Sequence, residues 1–302
     1  MKIVTPQVEL WKQEPTLEGA WHQIARATRV CYQSKSREGE SDEAFVNRVI
    51  LKPATREDGS IDFDKCHGAM LEHGTIYLTI PRTSFVAHTV YYIYNKYSKV
   101  LLDALVSDDS NDYVTTNMRV ILENNWQDDL KFISAPTNHA RRTTFSVITD
   151  IGVTRELNRH RVNSIAEQST RYCTYSADKF GKEITYTSTS PFVECVSDDK
   201  SYFRELCEDI ANNETNHWTS SIYYVFGLLA AEFAYLGLKE NKVPNDIARQ
   251  VLNLNIKSQA VYTAFDDDWQ HFIKLRADNV SGKVHPNMKI IADKIKELFN
   301  NK

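Results

Sequence analysis

Apolar positions first recur with helical spacing at Trp21, Ile24 and Ala25, in a segment that Thr16 or Glu18 opens and that runs to about Thr28. A polar loop follows Tyr32. Ser41 before Asp42 and Glu43 predicts a cap and an acidic first turn for a second helix, ending near Ile50. Residues 62–73 suit a third, with Gly74 as its C-terminal stop. Residues 75–80 carry the β-branched and aromatic content of a strand, and residues 142–149 read as the strand that returns beside it. Between them, residues 81–138 alternate aromatic stretches, clearest at 90–94, with a helical piece near 117–125.

Asp150 is placed to cap a short helix reaching about His160, after which a loop is expected. Three- and four-residue spacing sets Glu156, Arg159 and His160 on neighbouring faces of that helix. Residues 183–187 form a further strand candidate, and two long helices fill 199–213 and 218–238. Pro244 can start the helix bearing Arg249. A last short strand is expected at 260–265, and Asp266, Asp267 and Asp268 are expected to cap the helix holding His271 and Arg276. Ile291, Ile295 and Leu298 make the apolar stripe of a terminal helix. There is no internal repeat and no low-complexity linker.

Composition narrows the class. With 302 residues, 42% hydrophobic and 25% charged, the chain can build a sizeable core. Its 36 basic and 40 acidic residues leave a net charge of −4, so no global positive field draws it to nucleic acid or a membrane, and any anion site must be local. The N-terminal residues lack a basic segment followed by a long apolar core, so no signal peptide is expected there. The richest apolar run, 222–238, is broken by Gly227, Glu232 and Gly237 and reads as a buried helix, not a membrane span. Five scattered cysteines without a CxxC pair argue against a disulfide framework or a zinc site and fit a reducing cytosol. The ten glycines include neither GxGxxG nor a P-loop, so any dinucleotide must be held in another way.

The densest chemistry lies at residues 159–172, where Arg159, Arg161 and Arg171 accompany His160, Glu167, Ser164 and Ser169. Guanidinium groups donate paired hydrogen bonds to phosphate and stay charged, while hydroxyls and a carboxylate can orient a polar ring. An anionic nucleotide is the natural guest. Arg159 and Arg161 point to different sides of the chain and are placed to serve two anions. His160 can stack on a ligand or pack beneath the arginines.

This run resembles the hallmark of flavin-dependent thymidylate synthases, an Arg-His-Arg triplet followed after seven residues by serine, here Arg159-His160-Arg161 and Ser169. Upstream, residues 67–73 resemble the family's His-x-x-x-x-Glu-His segment through His67, Glu72 and His73, and downstream Arg249 and Arg276 resemble its two late arginine sites. The resemblance implies an α+β fold, an antiparallel β-sheet flanked by helices, with residues 81–138 inserted after the first core strand of one domain spanning 1–302. It implies a cytoplasmic homotetramer with active sites between subunits. Such an enzyme methylates dUMP to dTMP, with 5,10-methylenetetrahydrofolate as carbon donor and FAD reduced by NADPH. Neither nucleic acid nor membrane is an expected partner.

Carried over by residue, the resemblance assigns dUMP to Glu156, Arg159, Glu167, Ser169, Arg171, Arg249 and Arg276. It assigns FAD to Ala69, Glu72, Arg159, His160, Arg161, Glu167 and His271. Arg276, Ser169 and His67 are the implied catalytic residues, with Arg276 facing the uracil edge, where a fixed cation favours the N3-deprotonated ring. No metal is expected, because His67 and His73 do not share a helix face as an HExxH pair would. At four positions the chain departs from many compact relatives, which have asparagine at His271, Phe265 and Ala166 and arginine at Asp267. Two other readings stand beside this one: a cysteine-dependent methyltransferase using Cys173, and a non-catalytic nucleotide- or RNA-binding regulator.

Overall fold

The computed structural model describes residues 1–82, 88–102, 110–171, 173–176, 182–188, 200–280 and 282–302. The order begins β1 (Lys2–Val4), β2 (Gln7–Trp11), α1 (Leu17–Tyr32), α2 (Asp42–Val46), β3 (Thr75–Pro81), α3 (Thr89–Tyr94), β4 (Lys99–Leu102), β5 (Asn111–Asn117) and α4 (Met118–Glu123). It continues with β6 (Arg142–Asp150), α5 (Ile151–Leu157), β7 (Ser164–Glu167), β8 (Thr185–Thr187), α6 (Lys200–Asn212), α7 (Ser220–Glu240), α8 (Asn245–Ala248), β9 (Lys257–Phe265), α9 (Asp266–Arg276) and α10 (Pro286–Asn300).

The fold mixes helices with antiparallel sheets. A four-stranded sheet has the order β2-β6-β9-β7, and a three-stranded sheet the order β3-β5-β4. β1 and β8 form a small parallel pair. One face of the four-stranded sheet packs Phe145, Val147, Tyr262 and Ala264 against Trp269 and Phe272 of α9 and Ile291 and Ile295 of α10. On the other side, Ala166 and Val261 join Ile24 of α1 and Leu71 in a second core. Apolar burial on both faces is the dominant stabilising term.

Several expectations are corrected. The strand at 75–80 does not pair with 142–149. β3 pairs along its length with β5, from Thr75 opposite Asn117 to Pro81 opposite Asn111. Both edges of β6 are already taken, by β2 and by β9. β3 therefore belongs with the 81–138 segment. The third helix shrinks to a 3₁₀ turn, Gly68–His73. Gly74 has φ −79°, so it is no left-handed stop. It is there for space: a Cβ would lie 2.6 Å from Ile24 Cδ1 and 3.0 Å from the Ala20 carbonyl.

The helix read as buried, α7, is only partly so, because it is apolar all round and its partners cover one side. Leu228, Leu229 and Tyr235 are buried, whereas Phe233 is 69% and Tyr223 55% exposed. Among the described residues α7 is also the one helix long and apolar enough, by length and composition, to cross a membrane. The three aspartates of α9 occupy its first turn without capping it, since the cap residue is Phe265. Asp266 instead accepts from Thr143 Oγ1 at 2.6 Å and from Lys302 Nζ at 2.5 Å.

Candidate active site

The stretch expected to be a loop after α5 turns back at once as β7, an edge strand paired with β9 from Ser164 opposite Thr263 to Glu167 opposite Ala260. Asp150 does cap α5, its Oδ1 accepting from the Val153 N–H at 2.8 Å. The hairpin-like return holds Glu167 under the helix. Glu167 Oε1 accepts from Thr154 Oγ1 at 2.7 Å and Ser258 Oγ at 2.8 Å, and Oε2 from Asn158 Nδ2 at 3.1 Å. Three neutral donors fix the carboxylate in place.

Glu167, Ser169, Arg171 and Arg249 line one cavity of about 540 Å³. Ser169 is anchored by its N–H to the Cys31 carbonyl at 3.0 Å, and its Oγ accepts from the Arg171 N–H at 3.2 Å. Arg249 Nη1 donates to Thr170 Oγ1 at 3.0 Å. The cavity also takes in Arg155, a residue the sequence reading passed over. The available signal was spacing: Ile151 and Arg155, one helical turn apart, both face it. Among the described residues no carboxylate forms an ion pair with Arg155. Arginines and hydroxyls around a fixed carboxylate can hold a phosphate at one end and a polar ring at the other.

Arg276 and Glu156 lie outside this cavity's lining. Arg276 Nε donates to His160 Nε2 at 3.3 Å, and its Nη1 stands 4.0 Å from Glu156 Oε2. Phe272 packs edge-on to the His160 ring at 4.9 Å. Burial, with Arg276 and His271 adding to it, pushes the His160 pKa down to about 4. The neutral ring thus accepts from Arg276 while carrying its own proton on Nδ1. Arg159, Arg161 and His271 are exposed. Among the described residues Arg159 and Arg161 have no carboxylate partner. Asp267 is held by Lys99 of β4, whose Nζ lies 2.6 and 2.5 Å from its two oxygens.

A third group sits on and beside the 3₁₀ turn. His67 Nδ1 meets the Tyr32 hydroxyl. Glu72, which is buried, accepts from Arg119 Nη1 at 2.7 Å, while Ala69 and His67 are exposed. His73 is fully buried, its Nδ1 2.8 Å from Thr263 Oγ1. Neither the Arg276 group nor the turn residues line the Glu167 cavity, although the 3₁₀ turn packs against β7. Cys173 is 0% exposed, which leaves its thiol closed to a nucleotide carbon. Its neighbour Cys31 has its pKa pushed up to about 11, by burial first and then by Cys173 and Glu167. Among the described residues no cluster of three or more His, Cys, Asp or Glu could hold a metal.

Residues 111–302 match the family of thymidylate synthase complementing proteins. That stretch contains Glu156 to Arg171, Arg249 and Arg276 but not His67, Ala69 or Glu72. No curated protein matches the chain. Among solved structures, the UMP/dUMP methylase PolB from Streptomyces cacaoi bound with 5-Br dUMP aligns at 15% identity and TM-score 0.41, covering 100% of this chain and 93% of that one. The same methylase bound with 5-Br UMP aligns at 14% identity and TM-score 0.43, covering 100% and 92%.

Proposed function

The chain belongs to the thymidylate synthase complementing proteins, the flavin-dependent thymidylate synthases, and on that premise we propose that it methylates dUMP to dTMP in the cytoplasm, using 5,10-methylenetetrahydrofolate, FAD and NADPH. The observation that carries this reading is the cavity where Ser169, Arg171, Arg249 and Arg155 surround the fixed carboxylate of Glu167. The arginines bind the nucleotide phosphate. Ser169 orients the nucleotide by hydrogen bonding, and no covalent nucleophile is required.

Arg276 is the catalytic cation. With Nε committed to His160 Nε2, its Nη groups face the uracil edge and stabilise charge that develops at N3. Glu156 steadies that guanidinium from the side. FAD, when bound, supplies the hydride, and the folate supplies the methylene carbon. The residues present suit a pyrophosphate-bearing cofactor, because Arg159 and Arg161 are exposed cations without carboxylate partners among the described residues. Glu167, His160 and His271 complete that surface, and Ala69, Glu72 and His67 border the flavin ring. Asp267 is compatible with it, its charge being met by Lys99.

On this reading, as the family resemblance implies, the complete site forms between subunits of a homotetramer. Residues 1–302 then act as a single domain in which 81–138, together with β3, form an inserted lobe. The test is an absorbance spectrum of purified protein, followed by anaerobic reduction with NADPH in the presence and absence of dUMP. Oxidised-flavin bands that bleach faster with dUMP support the reading. A colourless protein that takes up no FAD and binds RNA in a salt-sensitive way points to the regulator instead.

A further inference from the structure

We infer that a second cavity, at the start of β6 and away from Ser169 and Arg249, binds a small organic anion carrying a flat ring. It has a volume of about 520 Å³, within the roughly 300–1,000 Å³ of small-molecule sites. None of the family-motif residues lines it, and the inference does not rest on the proposed methylation.

Its central feature is Arg142. The guanidinium is spent on neutral acceptors: Nη1 donates to the Glu72 carbonyl at 3.0 Å and Thr75 Oγ1 at 3.3 Å, and Nη2 to Ser164 Oγ at 3.2 Å. Its Nε is buried without an acceptor. Among the described residues no carboxylate forms an ion pair with it. Burial accordingly pushes its pKa down to about 10. A cation withdrawn from water normally brings its counter-ion with it, because its field is weakly screened there. Here Glu72 and Asp268 act on it only through space, with no ion pair among the described residues, and Arg142 itself lines the cavity.

The rest of the lining agrees. The charged residues are Lys12, Arg141, Arg142, Lys302 and Asp266. Lys302 neutralises Asp266 at 2.5 Å. Lys12, Arg141 and Arg142 therefore remain as a net positive set, and Lys12 and Arg141 are exposed, so they can close on an arriving anion. Trp11 and Tyr77 belong to the lining, and aromatic side chains give a ring-bearing ligand affinity that a bare anion does not gain. A carboxylate or phosphate ester satisfies the guanidinium chemistry equally well.

The experiment is calorimetric titration of the full chain with phenyl phosphate, benzoate and inorganic phosphate. The expected result is saturable binding of the two ring compounds, both tighter than inorganic phosphate. Lys12→Gln with Arg141→Gln should weaken it by about tenfold or more, since each removes a charge-assisted contact. Arg155→Gln with Arg249→Gln, which alters the other cavity, should leave the Lys12- and Arg141-dependent binding unchanged. Arg142→Met risks the fold, so the exposed pair carries the test. No saturable binding, binding indifferent to the Lys12 and Arg141 changes, binding lost with Arg155 and Arg249, or inorganic phosphate binding as tightly as the ring compounds would each overturn the inference.

Discussion

His73 should make the protein acid-sensitive in a way that a single substitution removes. Its ring is fully buried, and its pKa is pushed down to about 3 from an ordinary 6.5, by burial first and then by the Arg142 guanidinium. In the unfolded chain the imidazole takes up a proton near its ordinary pKa, whereas the folded chain refuses it. The stabilising difference is therefore complete above about pH 6.5 and is lost as pH falls towards 3. Within that window each pH unit removes on the order of 1 kcal/mol, so His73 alone costs roughly 2 kcal/mol between pH 6.5 and 4.5. His73→Gln keeps a polar partner for Thr263 but cannot protonate. Urea denaturation of both proteins at half-unit steps from pH 7 to 4.5 reads the effect. The gap between the two stability curves should shrink by about that amount towards the acid end. Parallel curves would mean that His73 is protonated or solvated in the folded chain, and the burial argument would fail.

Gly74→Ala should destabilise by about 1–3 kcal/mol in the same urea assay, because the new methyl overpacks against Ile24. Adding Ile24→Val, which removes the Cδ1 that sits 2.6 Å from the new Cβ, should cost less than the sum of the two changes; strict additivity would count against the steric account. Arg276→Ala should retain bound flavin yet lose thymidylate formation by about 10²–10³-fold, read as flavin absorbance beside product formation; normal turnover would remove Arg276 from the chemistry. Cys173→Ser should leave turnover close to that of the parent, since the thiol is buried; abolished methylation in a folded variant would favour the cysteine-dependent route.

Helix positions were legible where a capping side chain marks them. Thr16, Ser41 and Asp150 each accept a hydrogen bond from the backbone they were expected to cap. Strand partnership was not legible, because which edge a strand finds depends on residues far along the chain. β3 satisfied every local criterion and still joined β5, a strand whose Asn111–Asn117 sequence carries two asparagines and an aspartate. β2 was passed over although Val8 and Leu10 alternate with polar neighbours, since a five-residue strand gives a weak signal. β7 was hidden by its polar composition: Ser164 and Glu167 look like loop residues until the hydrogen bonds to Thr154, Asn158 and Ser258 are seen.

The site divides along the same physical line. Residue chemistry named Ser169, Arg171 and Arg249, and the fold places all three around one cavity with Glu167. Arg155 was missed because an arginine on an exposed helix face has no local mark of function; what distinguishes it is its place in the cavity lining, a property of the folded neighbourhood. Asp267 stands in sequence as an acid where compact relatives have arginine, and Lys99 reaches it from 168 residues away. That contact also fastens the three-stranded sheet to the first turn of α9, where the lysine additionally lies 4.4 Å over the Phe265 ring. Two of the departures from the compact relatives, Asp267 and Phe265, thus share one partner from the 81–138 segment. With Lys99 at 2.5 Å, an aspartate at 267 is held by opposite charge, whereas an arginine at that position would be repelled by the lysine.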